Sequence, residues 1–206
     1  MLKLYDLERS GNCYKIRLLL SLIGREYEKI PVNVNANENE SPEFLALNPR
    51  GQVPVIDDNG FVLWDSTAIL VYLAHAYGEE SWLPREYRQQ AEVMQWLALE
   101  QNEGRYGLAR ARAVALKNQT AFARLGNMEE CRDLAHQALG VLEMRLDQAD
   151  WLVGKQITIA DIACYPYVAL APEGDIDISK YQAVGGWINR IEGLPNYTSY
   201  PKSVTS

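Results

Sequence analysis

Cysteine and histidine are scarce in this chain, and their scarcity excludes two kinds of site. Among 206 residues there are three cysteines, Cys13, Cys131 and Cys164, an odd number with no paired spacing. A disulfide framework does not follow from such a set, and a reducing cytoplasm is the expected compartment. The two histidines, His75 and His136, lie far apart and beside no cysteine cluster, so zinc has no ligand set. No metal and no permanently bound cofactor is expected, and both histidines are read as structural. A basic excess is also missing: the net charge is −7, which argues against a general affinity for nucleic acid. No apolar run reaches the roughly 18 residues that a membrane-spanning helix needs. Lys3, Asp6, Glu8 and Arg9 crowd the stretch where a secretory signal would be apolar. Internal repeats and low-complexity segments are absent. What remains is a soluble globular chain, long enough for one large or two small domains.

The most informative stretch runs Asn48-Pro49-Arg50-Gly51-Gln52-Val53-Pro54-Val55-Ile56 and is soon followed by Asp65-Ser66-Thr67-Ala68-Ile69. A proline in an apolar strand belongs at its first residue, an edge or a bulge. An edge at Val53 leaves an N–H and a C=O free to pair with an extended peptide. The residues by themselves favour a trans bond before Pro54, as most such bonds are. After the turn Asp57-Asp58-Asn59-Gly60 and the run Phe61-Val62-Leu63, Asp65-Ser66 opens an apolar helical stretch. The helix start favours a carboxylate, and the Asp65 side chain offers an acceptor to an ammonium group. Together these suit a small peptide with a zwitterionic end. An ordinary hairpin with an Asp/Ser cap accounts for the same residues, and both readings stay open.

Ahead of that stretch, Leu2-Lys3-Leu4-Tyr5 reads as a strand, and Ser10-Gly11-Asn12-Cys13 leads into the apolar helix Ile16-Leu19-Leu20-Ile23, stopped by Gly24. A second strand is expected from Tyr27 to Val34, then a helix with Ser41 as N-cap and Pro42 at its first position. Strand, helix, strand, helix, strand, strand, helix is a thioredoxin-like layout over residues 1–78. Residues 79–84 read as a linker. From 85 to 206 the pattern is all helical. Val93, Trp96, Leu97, Gly104, Leu108, Ala111 and Ala115 recur at helical spacing up to about Lys117, and Leu134, Ala138, Val141, Leu142 and Arg145 do so in a second long helix. A helix from Thr158 to Ala171 carries a capping box, Thr158 with Asp161 three positions on, and another runs from Tyr181 to Glu192.

Taken together, the serine loop, Val53-Pro54, Asp65-Ser66, the helical second half and Thr158-Ile159-Ala160-Asp161 after Trp151-Leu152-Val153-Gly154 resemble the glutathione S-transferase family. The resemblance covers nearly the whole chain and is to the cytosolic, bacterial-like, serine-type members. It implies a thioredoxin-like glutathione-binding domain followed by a helical bundle, a cis peptide before Pro54, and glutathione as co-substrate. Gln52, Val53, Pro54, Asp65 and Ser66 are the implied glutathione contacts. A homodimer is implied too, in which Gln101 or Asn102 reaches the neighbour's γ-glutamyl group. Tyr106 and Arg110, on the first long helix, become candidates for the second-substrate pocket, against the alternative that this polar set is a solvated face.

The chemistry implied is thiol activation. A thiol with a pKa near 8.5 is mostly protonated at pH 7, and lowering that value by about two units takes about 2.7 kcal/mol of preference for the anion. One hydroxyl donor and a helix N-terminus can supply it. By resemblance Ser10 is the donor, with Asn12 as auxiliary or substitute, and the competing reading is a loop serine that caps the first helix. Cys13 offers another route. It could form a mixed disulfide with glutathione, although it also fits as a buried, inert cysteine. Three functions follow: conjugation of glutathione to a small hydrophobic electrophile, glutathione-dependent disulfide or peroxide reduction, and a non-catalytic binding module. Fold does not fix the electrophile.

Overall fold

Short strands and apolar helices alternate in the first part of the chain because its hydrophobic period switches between two and about 3.6. The computed structural model describes residues 1–117, 121–124 and 127–201; the last positions of the expected helical domain, 202–206, lie outside the described residues. Two compact units result, one of Met1–Glu79 with Leu194–Ser206 and one of Glu80–Gly193.

The first unit contains the expected order of elements. Strand β1 (Leu2–Asp6) leads to helix α1 (Gly11–Leu22), β2 (Glu28–Pro31), α2 (Pro42–Leu47), the hairpin β3 (Val55–Asp58) and β4 (Phe61–Trp64), and α3 (Ser66–Tyr77). The sheet runs β2-β1-β3-β4, with β1 parallel to β2 and antiparallel to β3, and β4 antiparallel to β3. Leu4 pairs with Ile56, and both are fully buried on one face. The opposite face carries Tyr5 and Val55, which pack with Val32 and with Phe44 of α2. The hairpin turns at Asn59 and Gly60, both at positive φ, as an Asn-Gly pair favours. Strand β2 is shorter than expected, because two 3-10 turns occupy Val34–Ala36 and Glu38–Glu40. The Asn33 side chain caps the first of them, accepting from the N–H groups of Asn35 and Ala36.

In the second unit one departure stands out. The first long helix is not α-helical throughout: α4 (Tyr87–Leu99) passes into a π-helix at Glu100–Ala109 and then into α5 (Arg110–Ala115). Close packing accompanies the widened turns. A Cβ on Gly107 would meet the backbone N of Ala135 at 2.4 Å, so this stretch touches α7 (Met128–Leu146) backbone to backbone. A short helix α6 (Ala121–Arg124) precedes α7. The capping box forms at α8 (Ile159–Ala169): Thr158 Oγ1 accepts from the N–H of Ala160, and Asp161 Oδ2 accepts from the N–H of Thr158. Asp161 does more than cap, since its Oδ1 also accepts from the N–H of Leu152 and from Nε1 of Trp187. Burial pushes this carboxyl up despite those three contacts and a fourth from the Thr158 hydroxyl. Helix α9 (Gln182–Glu192) has no cap of its own, and Glu143 of α7 accepts from the N–H groups of Ala183 and Val184 instead.

Candidate functional site

Register alone gathers the predicted glutathione residues of the first unit. Tyr5 lies opposite Val55, and Val55 lies opposite Trp64. The loop after β1, the Val53-Pro54 peptide before β3 and the Asp65-Ser66 start of α3 therefore leave the sheet at the same end. Sequence distance is irrelevant to this meeting, because each motif sits one or a few residues beyond that row.

Ser10 is the N-cap of α1. Its Oγ accepts from the N–H of Cys13 at 3.2 Å, and its hydroxyl also bears on the Cys13 side chain, a minor influence on that thiol beside burial. The cap uses a lone pair and not the O–H, so the capping and donor readings coexist. Asn12, half-buried in the first turn, has a side-chain amide with no partner among the described residues. Cys13 is fully buried, its Sγ accepts from the N–H of Leu7 at 3.4 Å, and burial pushes its thiol up to about 12. Such a thiol is neither exposed nor ionised at neutral pH.

The peptide between Val53 and Pro54 is cis. Val53 precedes the β3 ladder, which begins at Val55, and its N–H and C=O make no backbone bond among the described residues. The preceding loop is tied by Asn48, which is buried and donates from Nδ2 to the carbonyl of Gln52 at 2.7 Å. Gln52 itself is exposed. Asp65 holds φ at 77°, a conformation that costs a non-glycine residue energy and that persists where surroundings enforce it. It caps α3 by accepting from the N–H of Thr67 at 2.9 Å, and its other oxygen lies 3.5 Å from Nη1 of Arg50. Ser66 is buried at the first helical position.

Two contributors escaped the sequence. Arg50 is one; nothing in its loop position signalled that it meets Asp65. Arg17 is the other: it is buried, ion-paired with the buried Asp6, and donates from Nη2 to the carbonyl of Glu8 at 2.8 Å, fixing the loop that carries Ser10. A charged residue in an apolar helix was the only clue.

In the second unit, Gln101 Nε2 donates to Glu100 Oε2 at 3.0 Å and Asn102 Nδ2 to the carbonyl of Ala98 at 2.8 Å. Tyr106 is 40% exposed, and the Arg110 guanidinium lies 4.6 Å from its ring centre and 4.7 Å from that of Phe122. Arg112 is structural, buried and paired with Glu173 at 2.7 Å.

Family profiles match both parts of the chain: "Glutathione S-transferase, N-terminal domain" over residues 1–75 and "Glutathione S-transferase, C-terminal domain" over residues 118–195. Glutathione S-transferase D7 of Anopheles gambiae is 35% identical over 195 residues, covering 92% of this chain and 85% of that protein. Among solved structures, a glutathione S-transferase from Pseudomonas fluorescens Pf-5 superposes with a TM-score of 0.89 at 36% identity, over 98% of this chain and 99% of that one. A delta-class glutathione transferase of Nilaparvata lugens gives a TM-score of 0.82 at 26% identity, over 95% of this chain and 90% of its own.

Proposed function

Because the chain belongs to the glutathione S-transferase family, we propose that it activates the glutathione thiol as a thiolate and conjugates it to a small hydrophobic electrophile. The sulfur's electron pair forms the new C–S bond, the electrophile's leaving group departs with its own pair, and the thiol proton passes to solvent. Ser10 donates to the thiolate, with Asn12 beside it at the start of α1, where the helix dipole also favours the anion. Gln52, Val53 and Pro54 hold the cysteinyl part as an added strand. Asp65 takes the ammonium of the γ-glutamyl end, and the Ser66 hydroxyl with the α3 N-terminus takes its carboxylate. Tyr106 and Arg110 serve the second substrate.

The observation that carries this reading is the placement of the Ser10 hydroxyl, whose cap role uses only a lone pair, on a loop that shares one sheet end with Val53-Pro54 and Asp65-Ser66. The buried, fully protonated Cys13 speaks against a thiol-redox route. We also propose a cytoplasmic homodimer in which Gln101 or Asn102 reaches the γ-glutamyl group of the partner's glutathione. The exposed Phe61, Val62 and Trp64 on the edge strand β4 offer apolar surface for that association.

Conjugation of glutathione to a chloronitrobenzene, followed by absorbance beside parallel assays of disulfide and peroxide reduction, tests the activity. Conjugate formation is expected to dominate. Glutathione binding with reduction but no conjugation would overturn the proposal.

A further inference from the structure

A late segment of the chain returns to its first helix. The residues after α9, from Leu194 on, belong to the same compact unit as Met1–Glu79, and between Asn196 and Tyr200 they run along α1 in the opposite direction. Ser21, near the end of α1, donates from Oγ to the carbonyl of Asn196 at 2.7 Å. About two turns back along the helix, the buried Tyr14 donates its hydroxyl to the carbonyl of Thr198 at 2.7 Å. Ahead of the helix, the Tyr200 hydroxyl donates to the carbonyl of Arg9 at 2.5 Å. The Tyr200 ring meets that of Tyr14 edge to face, with centres 5.3 Å apart and planes at 79°, so the reach of its hydroxyl is set by a packed ring.

Arg9 precedes Ser10, and its carbonyl shares one planar peptide group with the Ser10 N–H. That N–H donates to the carbonyl of Leu7 at 2.9 Å, so the plane is held at both edges, once from within the loop and once by Tyr200. Ser10 hangs from this plane, and its Oγ is then turned toward the N–H of Cys13. The carbonyl before it is held as well, by Nη2 of Arg17 at 2.8 Å. Arg17 reaches the loop from α1, whereas Tyr200 comes from 191 positions away in sequence. Such support matters for a donor, because a hydrogen bond weakens steeply as it loses alignment and a functional side chain is only as well placed as the contacts behind it.

We propose that Tyr200 is a positioning residue for the thiolate donor: its hydroxyl fixes the Arg9–Ser10 peptide and thereby aims the Ser10 hydroxyl at the glutathione sulfur. This rests on the transferase reading, in which Ser10 is that donor. Tyr200 itself touches no reacting atom, since its proton is committed to the Arg9 carbonyl.

The test is Tyr200→Phe in the full-length protein, which deletes the hydroxyl and keeps the ring on Tyr14. Titrating the ultraviolet absorbance of the bound glutathione thiolate should show its pKa raised by about 0.5 to 1, the effect of one neutral hydrogen bond. At neutral pH, kcat for conjugation of a chloronitrobenzene should fall roughly three- to tenfold and recover as pH is raised. Glutathione affinity should be nearly unchanged, because the peptide is held at Val53 and at Asp65-Ser66. Ser21→Ala, which loosens the same segment at Asn196, should leave the thiol pKa where it is. In a Ser10→Ala background Tyr200→Phe should add nothing, as expected of an effect that passes through Ser10. An unaltered titration in Tyr200→Phe, an equal rise in Ser21→Ala, or a full Tyr200→Phe effect on top of Ser10→Ala overturns the proposal. Failure of the transferase reading looks different: the unmodified protein then binds glutathione without lowering its thiol pKa or forms no conjugate, and the role of Tyr200 falls with it.

Discussion

The Ser10 hydroxyl oxygen accepts the backbone N–H of Cys13 at 3.2 Å, which places the proposed thiolate donor and the rival thiol on one helical turn with opposite prospects. The serine caps with a lone pair and keeps its O–H as a donor; the cysteine is buried and protonated. Ser10→Ala is expected to raise the pKa of bound glutathione toward its free value, slowing conjugation at neutral pH by about ten- to a hundredfold, as for one lost charge-assisted hydrogen bond of about 1.5–3 kcal/mol. Raising the pH should restore much of the rate. The same change removes a cap worth about 1 kcal/mol of stability, whereas Ser10→Gly loses the hydroxyl with only a few tenths lost at the cap. A pH–rate profile of both variants, with Asn12→Ala and Cys13→Ala alongside, separates the roles. Full activity in Ser10→Ala with none in Cys13→Ala would replace conjugation with thiol-redox chemistry.

Glutathione affinity should respond to charge at Asp65 even when its cap is kept. Asparagine tolerates positive φ and caps as well as aspartate, so Asp65→Asn keeps the cap and removes the charge that serves both the ammonium and Arg50. Calorimetry should show a loss of roughly 1.5–3 kcal/mol for that variant and a smaller loss of about 1 kcal/mol for Ser66→Ala. Arg50→Ala tests whether its 3.5 Å contact with Asp65 orients the carboxylate, and a weaker affinity with unchanged thermal stability is the expected result. Unchanged binding in Asp65→Asn and Ser66→Ala would remove the site.

Much of this site was readable from the chain because its parts are local. An N-cap serine, an X-Pro strand start and an Asp-Ser helix start each announce themselves within a few residues, and the sheet register then brings them together. What stayed hidden depends on distant partners. Arg50 and Arg17 take their meaning from Asp65 and Asp6, pairs that no periodicity encodes. The π-helix was equally silent, since the apolar spacing from Val93 to Ala115 suits an α-helix, and the register changes where Gly107 seats against Ala135. The cap of α9 by Glu143 is invisible for the same reason.

Stability of the helical unit should depend steeply on two positions. Asp161→Ala leaves the N–H groups of Thr158 and Leu152 and the Trp187 indole without their acceptor. Each buried donor left unsatisfied costs about 1–3 kcal/mol. Urea unfolding should therefore show a loss of several kcal/mol, with Asp161→Asn recovering part. Gly107→Ala forces a methyl to 2.4 Å from the backbone of Ala135, where no rotamer change can relieve it. A loss of about 1–3 kcal/mol is expected, while Gly140→Ala, which meets nothing within 4 Å, should be neutral or stabilising.

The first unit should carry its own pH signature, set by Asp58. This buried carboxylate accepts from the hydroxyls of Tyr77 and of Tyr72, the latter at 2.8 Å, and the Tyr77 hydrogen bond is the main cause holding its pKa below the ordinary carboxylate value. An acid depressed in the folded state contributes stability that is present above its unfolded pKa and lost as pH falls through the folded one. The same contacts act in the opposite sense on the tyrosines. The hydrogen bond to Asp58 pushes Tyr72 up to about 12, so its contribution is complete below the unfolded tyrosine value of about 10 and disappears as pH rises through 12. Urea midpoints measured across pH should therefore fall at both ends of the range. Tyr77→Phe should flatten the acid limb most, Tyr72→Phe the alkaline limb, and Asp58→Asn both. An unchanged acid limb in Asp58→Asn would assign the acid sensitivity of this unit to another carboxylate, with Glu8, depressed chiefly by its hydrogen bond from Lys29, the next to be substituted.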